Sequence, residues 1–573
     1  MSSYWNVDRT VQIGEQKVEI PSENGLSYSG GGKVSLMIPS TVEFIDGKKS
    51  FLAFDLKLAL PDGKPPTLLQ LDHAGGGMLV KNMRIYDGTR GNLIEEINEY
   101  SSLVAMKYDY DTDESARSLR AMQEGGTAHS VLNQGTMGNI RSEYTDTMTN
   151  PYFKTGAGKT ATMTDADFTT AKCCVPLHAG VFSGKMFPVM MSGGLYLELD
   201  LEPASRVVKQ LDTAVAGRKL QLNPVFHSLN GSNDAPNDWA DGAGTDVFYL
   251  TKDNNLSGSD RVNKCPFVVG ESITWVKESD QSEAGLSVPW IISEINACGT
   301  NGLIEIKSAV SVTNNTGEDI VSTEWRVASI SAAGETSYDV SYTMSNVNLV
   351  AHQVELDPKF KAGMMAKIRE GKSIEFDIHS VSNYKNSLLA SDRQTSFLVH
   401  ANNSRAKSLL VSPTDSTIYT SAQLVSASGT YSIAENEADI TGNSNRSGYT
   451  GICDFLTSVQ YQIDGKLVPS RPVSTKKCAT RNSVDAFHLF ELEKSLDNAG
   501  ITPRSFVKFL DNWVLGRGFA LGAGAMDMRG KDLSVLLKYE ESTAPTKPKM
   551  INSFVFHIRR LVMRGSGAVE VVM

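Results

Sequence analysis

The segment that most invites a chemical reading is Thr155–Thr162, TGAGKTAT, in which Gly158-Lys159-Thr160 has the ending of a phosphate-binding loop. Such a loop cradles phosphate on backbone N–H groups and needs another glycine five residues before Gly158, a strand ahead and a helix behind. That position is Phe153 and neither flank has the required pattern, so the segment reads as a surface loop. Asp109–Glu114, DYDTDE, starts like a calcium loop, but Glu114 stands where glycine is needed and Arg120 where the closing glutamate belongs. An acidic turn before a helix accounts for it. Glu95 and Glu96 are adjacent, and neighbours on an extended chain point to opposite faces, so they do not form an acid–base pair by themselves.

His379 and His557 each fall on the polar phase of an alternating strand, where a surface or interface histidine is expected. The six cysteines (Cys173, Cys174, Cys265, Cys298, Cys453 and Cys478) contain no C-x-x-C pair and read as reduced, mostly buried thiols in a protein assembled inside a cell. Arg504–Phe509 (RSFVKF) and His557–Arg564 (HIRRLVMR) mix basic and apolar residues. Contact with nucleic acid would use such a mixture, but so would a strand or helix with one buried and one charged face, which carries more weight. The formal charge of −10 also argues against a surface built wholly to grip nucleic acid. No catalytic, cofactor-binding or metal-ligating residue is assigned, and no enzymatic activity is expected.

The elements that would hold any site are mainly strands. Leu52, Phe54, Leu56 and Leu58 alternate with Ala53, Asp55 and Lys57; Leu195, Leu197, Leu199 and Leu201 alternate with Tyr196, Glu198 and Asp200. Ile374, Phe376 and Ile378 face away from Glu375 and Asp377, and Phe554, Phe556 and Ile558 alternate with His557 and Arg559. A period of two puts one face in a core and the other towards solvent or a neighbour, as in antiparallel sheets. Asp46-Gly47, Asp87-Gly88 and Asp464-Gly465 lie between strand-like runs and suit the positive φ angles of tight hairpins. Helices are few. Asp357 as cap, Pro358 at the first position and Gly371 as terminator mark one, with Phe360, Met364, Met365 and Ile368 on one side. A second spans Asp485 to Gly500, with Phe487, Leu492 and Leu496 on one face, and Asp113–Gln123 is a weaker third. The N-terminal MSSYWNVDRTVQIGEQ lacks the apolar centre of a secretory signal. The uncharged stretch Ser416–Ala434 is rich in serine and threonine and reads as strands and a turn, so no membrane span is expected.

The two halves repeat an order of features. KMFPVMMSGGLYLELDL leads, after a long insertion, to SYTMSNVNLVAHQVEL; FALGAGAMDMRGKDLSVLLKY leads, after a short loop, to INSFVFHIRRLVM. This predicts two consecutive sandwiches with separate cores. The first would hold Leu52, Phe54, Leu56, Leu197 and Leu199, the second Ile374, Phe376, Phe554 and Phe556. The insertion, 207–338, has a polar part and then short strands separated by glycine turns, suggesting a small barrel around Phe267, Ile273, Trp275, Trp290, Ile292, Ile304 and Ile306.

The ordered series GGKVSLMIPSTVEFIDGKKSFLAFDLKL, MRIYDGTRGNLIEEINEYSSLV, CCVPLHAGVFSGKMFPVMMSGGLYLELDLE, SNVNLVAHQVELDPKFKAGMMAKIREG and DLSVLLKYEES…INSFVFHIRRLVMRGSGAVEVV resembles the double jelly-roll major capsid proteins of icosahedral DNA viruses, most closely those of polinton-like viruses and virophages. The resemblance covers most of residues 30–205 and 340–573. It implies an all-β fold of two consecutive jelly-roll β-sandwiches with a strand-rich insertion and few short helices. The implied division is an N-terminal arm 1–29, a first jelly roll 30–357 with 207–338 inserted as a tower, a connecting helix 358–371 and a second jelly roll 372–573. The implied function is self-assembly into pseudo-hexameric homotrimers that tile an icosahedral capsid in the virion, assembled inside the host cell. Implied partners are other copies of the chain, penton or vertex proteins, and minor capsid or cement proteins, with no tight nucleic-acid binding. Large subunit interfaces would explain apolar residues such as Trp5, Met190 and Met191, and ordinary core packing would explain them equally.

The alternative is a carbohydrate-binding or carbohydrate-cleaving β-sandwich. It predicts a secretory signal, aromatic residues on an exposed sheet face and disulfides. A fibre or minor vertex protein is a third reading, which predicts one jelly roll or fibrous repeats rather than a duplicated chain.

Overall fold

A strand with apolar residues at every second position has one face that must be covered, and two such sheets stacked face to face cover each other. In Phe51–Ala59 the inward Leu52, Phe54, Leu56 and Leu58 are all buried, and Leu195, Leu197, Leu199 and Leu201 do the same in Gly194–Leu201. The computed structural model describes residues 12–126, 165–212, 239–250, 272–329, 339–416, 456–475, 486–504, 514–519 and 524–572, with short breaks inside these spans, and also 218–219, 226–227, 424–425, 449 and 451.

Two sandwiches of one plan account for most strands. In the first, the eight main strands in chain order are Gln12–Pro21, Lys33–Pro39, Phe51–Ala59, Val80–Asp87, Leu93–Ile97, Thr170–Pro176, Gly194–Leu201 and Ser341–Leu356. In the second they are Ile374–Leu388, Gln394–Val399, Ala406–Asp415, Leu456–Ile463, Lys466–Ser474, Leu515–Gly518, Leu533–Tyr539 and Lys549–Met563. Numbered within each sandwich, both sets pair in the orders 1-8-3-6 and 2-7-4-5. That interleaving of early and late strands in two facing sheets is a jelly roll, and it occurs twice. The chain is a double jelly roll. A helix also recurs between strands five and six, as Tyr100–Asp111 and Ala486–Ala499.

From Gln12 onward, the stretch expected as an N-terminal arm is the first strand of the first sheet, antiparallel to Ser341–Leu356 with Gln12 opposite Leu356 and Pro21 opposite Asn348. Residues 1–11, with Trp5, lie outside the described residues. The expected helix after Asp357 spans Pro358–Arg369, where the Asp357 carboxylate accepts from the Lys359 N–H at 2.7 Å and Gly371 ends it at φ +77°. Of the three Asp-Gly pairs, Asp464-Gly465 alone has positive φ at both residues, 49° and 76°, and makes a two-residue hairpin. Asp46 instead caps a short 3-10 turn, and the Asp87 side chain organises a longer loop through Thr89, Gly91 and Asn92.

The expectation of two separate sandwich cores is not met. Buried side chains of both sandwiches form one continuous apolar cluster, in which Phe187 and Phe376 meet edge to face at 5.5 Å. Leu52, Phe54, Leu56, Leu197, Leu199, Phe376, Phe554 and Phe556 are buried in it and Ile374 is partly buried. Met191 is buried and Met190 partly buried against the same cluster, so core packing accounts for both.

The insertion has its own core. Seven strands pair in the order 218–219, 325–329, 272–277, 290–298, 303–313, 244–250 and 226–227. Among the described residues the two-residue strands at the ends of this path, 218–219 and 226–227, do not pair with each other. Ile273, Trp275, Trp290, Ile292 and Ile306 are buried there as expected, joined by Trp239, Phe248 and Trp325. Phe267 lies outside the described residues, and Ile304 belongs to Leu303–Thr313. Val208–Asp212, at the start of the insertion, pairs with Thr67–Leu71 of the first jelly roll and Leu424–Val425 of the second. The insertion therefore leaves the sandwiches at the end where both three-to-four connections turn.

Candidate assembly site: the seam between the jelly rolls

The first strand of the second jelly roll, Ile374–Leu388, lies against Leu93–Ile97 and the turn Gly180–Phe182 of the first. Its neighbour Lys549–Met563 is consequently buried on both faces over most of its length. This explains the fate of the polar phase noted in the sequence. His557 and Arg559 are buried, while Arg560, on the other phase, is more exposed and pairs with Glu375 and Asp377 at 3.0 and 3.1 Å.

Arg559 reaches across the seam and donates through Nη1 to the Ile94 carbonyl at 3.1 Å. Beside it, Glu95 is buried and accepts from the Gly180 N–H at 2.7 Å. Burial pushes the Glu95 carboxyl above its usual range, opposed by Ser380, the Arg559 charge and the N–H groups of Gly180 and Val181. His557 stands between Ser380 and Ser382, with Nδ1 3.2 Å from the Ser380 carbonyl oxygen. Burial, then the charges of Arg559 and His379, lower its pKa to about 3, so it is neutral at physiological pH. Gly180 has to be glycine for steric reasons, since a Cβ there would sit 2.5 Å from the His379 carbonyl oxygen.

Further links cross the seam. Lys385 forms an ion pair with the buried Glu99, which also meets Arg206 at 3.3 Å. Arg206 pairs with Glu202 at 2.7 Å and lies under the ring of Tyr449 from the second jelly roll. The Val569 N–H donates to Asp87 at 3.2 Å, and the Arg504 N–H donates to the Tyr110 carbonyl at 2.7 Å. A cavity of about 370 Å³ remains in the seam, lined by Lys107, His178, His379 and Phe556 among others. Burial and the nearby Lys107 and Arg120 charges hold His178 well below the ordinary histidine range. Removing one partner from a buried charged pair leaves an uncompensated charge, so these contacts fix one relative placement of the rolls.

The motifs singled out in the sequence are not brought together into a reaction centre among the described residues. Asp109 and Asp111 belong to the helix Tyr100–Asp111, and Asp111 pairs with Arg120 at 3.1 Å. Glu96 turns away from Glu95 to meet Arg84 at 3.0 Å. His379 is exposed. Thr155–Thr162 and Ser505–Phe509 lie outside the described residues, as do Cys265, Cys453 and Cys478. Cys173 is buried, but Cys174, on the opposite face of the same strand, is exposed. No group of three or more histidine, cysteine or carboxylate side chains is placed to hold a metal ion among the described residues. No helix among them is long and apolar enough to cross a membrane. Sequence reasoning missed the seam itself; its only trace was Arg559 and His557 on the polar phase of a strand already read as half-buried.

No family model matches the sequence, and no curated protein matches it. Among solved structures, the chain is similar to the PBCV-1 protein VP54, seen fitted into a reconstruction of the virophage Sputnik, at 12% identity over 99% of this chain and 98% of that one, with a TM-score of 0.47. It is similar to the Faustovirus major capsid protein at 9% identity over 97% and 92% of the two chains, with a TM-score of 0.45. It is similar to the mavirus major capsid protein at 10% identity over 100% and 94%, with a TM-score of 0.37.

Proposed function

We propose that the protein is a major capsid protein that self-assembles into pseudo-hexameric homotrimers and tiles an icosahedral viral shell. The observation that carries this reading is the side-by-side locking of two jelly rolls of one strand order by a buried seam. One chain then supplies two similar wedges in a fixed relation, which suits a ring made from few copies. The division proposed is a first roll beginning at Gln12 and ending at Leu356, a connecting helix Pro358–Arg369 and a second roll from Ile374, with 207–338 as a tower on the shell's outer side. Its work is geometric, and no catalytic role is assigned. Other copies are the main partners, with penton or vertex and minor capsid or cement proteins at specialised positions. The net charge of −10 favours a wall that repels packaged DNA at short range, a repulsion that salt screens over roughly 8–10 Å. Electron microscopy of the purified protein tests the reading: three-fold particles with a hexagonal outline are expected, and single-chain particles would contradict it. Nanomolar DNA binding at physiological salt would overturn the charge argument alone.

A further inference from the structure

The cavity in the seam is walled by cations without matching anions. It holds about 370 Å³, far more than one water needs. It lies at the end of the rolls away from the tower: Lys48 precedes Phe51–Ala59 and His178 follows Thr170–Pro176, and these strands pair with Phe51 opposite Pro176. Exposed Lys48, Ser183 and His379 stand at its mouth, and Lys107 and His178 are partly buried in its wall. Among the described residues no carboxylate lines it. A second space of about 290 Å³ shares Lys107 and Gly500 with it and adds Arg120 and Arg504. Asp111 also lines that space and is taken up by Arg120 at 3.1 Å.

The side chains of Lys48 and Lys107 make no hydrogen bond or ion pair with a described residue. Burial lowers the Lys107 pKa, opposed by the charges of Asp111 and Glu95. Both of those carboxylates are engaged elsewhere, Asp111 with Arg120 and Glu95 with the Gly180 N–H at 2.7 Å. The helix Ala486–Ala499 ends beside the cavity, but the Gly500 and Ile501 N–H groups close the Asp497 and Leu496 carbonyls and weaken the negative end of that helix. An ammonium drawn out of bulk water without a counter-charge costs free energy that an anion in the cavity would offset.

We propose that the seam cavity binds a phosphate group, with Lys107 as its inner cation, Lys48 at the mouth and His178 as a further donor, and that the bound anion ties the two rolls together. Phosphate brings close to two charges at neutral pH and several acceptor oxygens, enough to meet donors arriving from three different segments. His178, kept neutral, still has one ring N–H to give. The ligand would touch both rolls, because Lys48, Lys107 and His178 belong to the first and His379 and Gly500 to the second. Lys107 stands behind the mouth, between the sandwiches, where a terminal phosphate enters and a duplex does not. Free phosphate and the headgroup of an anionic phospholipid present the same chemistry. The site goes beyond the shell reading and does not depend on it.

The test uses the full chain. Thermal melting in sodium phosphate and in sodium chloride of equal ionic strength, near neutral pH, reads the anion's preference for the folded state. The unaltered chain is expected to melt later in phosphate, and calorimetric titration with inorganic phosphate should saturate at a single site. Lys107→Met is expected to weaken binding roughly tenfold or more, the loss of one charged hydrogen bond. Lys48→Glu, at an exposed position where folding is not at stake, should weaken it roughly threefold. Lys466→Glu, exposed and remote from the seam, should leave it unchanged. No saturable phosphate response in the unaltered chain would overturn the proposal. So would Lys107→Met and Lys48→Glu binding like the unaltered chain, or Lys466→Glu weakening binding as much as they do. Flotation with phosphatidylcholine vesicles, with and without phosphatidic acid, separates the sources: flotation that needs both phosphatidic acid and Lys107 supports a lipid headgroup as the ligand, and its absence beside a saturable phosphate response supports a soluble phosphate.

Discussion

The sandwiches and the tower bury their apolar side chains in different ways. Both jelly rolls share one continuous cluster that crosses the seam at Phe187 and Phe376, whereas the tower closes on a separate core in which Trp239, Trp275, Trp290 and Phe248 meet edge to face at 4.9–5.7 Å. A shared core couples the rolls into one cooperative body; a separate core lets the tower change without disturbing the rolls. Loop length adds little entropic cost to the sandwich beneath, so a tower of this size is tolerated between strands seven and eight.

Substitutions can break that contrast from either side. Phe376→Ala is expected to have the largest global effect, about 3–5 kcal/mol, because the lost side chain is buried and also meets the other roll. Calorimetry would show both rolls melting earlier in one transition; loss of stability in the second roll alone would mean the shared core does not couple them. Trp275→Ala removes a buried ring of similar size, and its effect of about 3–5 kcal/mol should stay within the tower. Limited proteolysis should then cut the insertion while the sandwich transition holds, and a matching fall in that transition would contradict the separation.

A smaller effect sharpens the account of the seam. Folded His557 takes up a proton only near pH 3, whereas the unfolded chain does so near pH 6.5. As pH falls below about 6.5, the unfolded state binds more protons and stability declines, until protonation of the folded state halts that contribution near pH 3. The buried Glu95, with its raised pKa, acts with the opposite sign above the ordinary glutamate range. His557→Asn should therefore flatten the acid side of the melting-temperature profile between about pH 6.5 and 3; an unchanged slope would place His557 in contact with water. The smallest expected effect is that of Asp357→Ala, about 1 kcal/mol from the lost helix cap, with little change in the tower. Chemical denaturation reads it, and a loss several times larger would mean that the connecting helix bears on the seam.

Much of the sandwich plan was legible because alternating leucines and phenylalanines act through their own strand's geometry. The seam was not, because it joins residues as distant as Ile94 and Arg559, 465 positions apart. Alternation identifies a covered face but does not say whether solvent or another sandwich lies against its back. The helix Tyr100–Asp111 escaped notice for a related reason: it is buried on most sides and so lacks a polar stripe. By contrast, Pro358–Arg369 carries its start and stop signals in Asp357, Pro358 and Gly371. The tower's tryptophans at 275 and 290 lie in strands readable by pattern, while Trp239 enters through a single bridge to Ile320 that only folding creates.

The central claim is that this double jelly roll is a shell subunit whose basic particle is a closed ring of three chains. Light scattering across a dilution series tests it most directly. The account predicts a particle of three 62.2 kDa chains that persists on dilution while larger assemblies come apart. A stable particle of one chain at every concentration would contradict it.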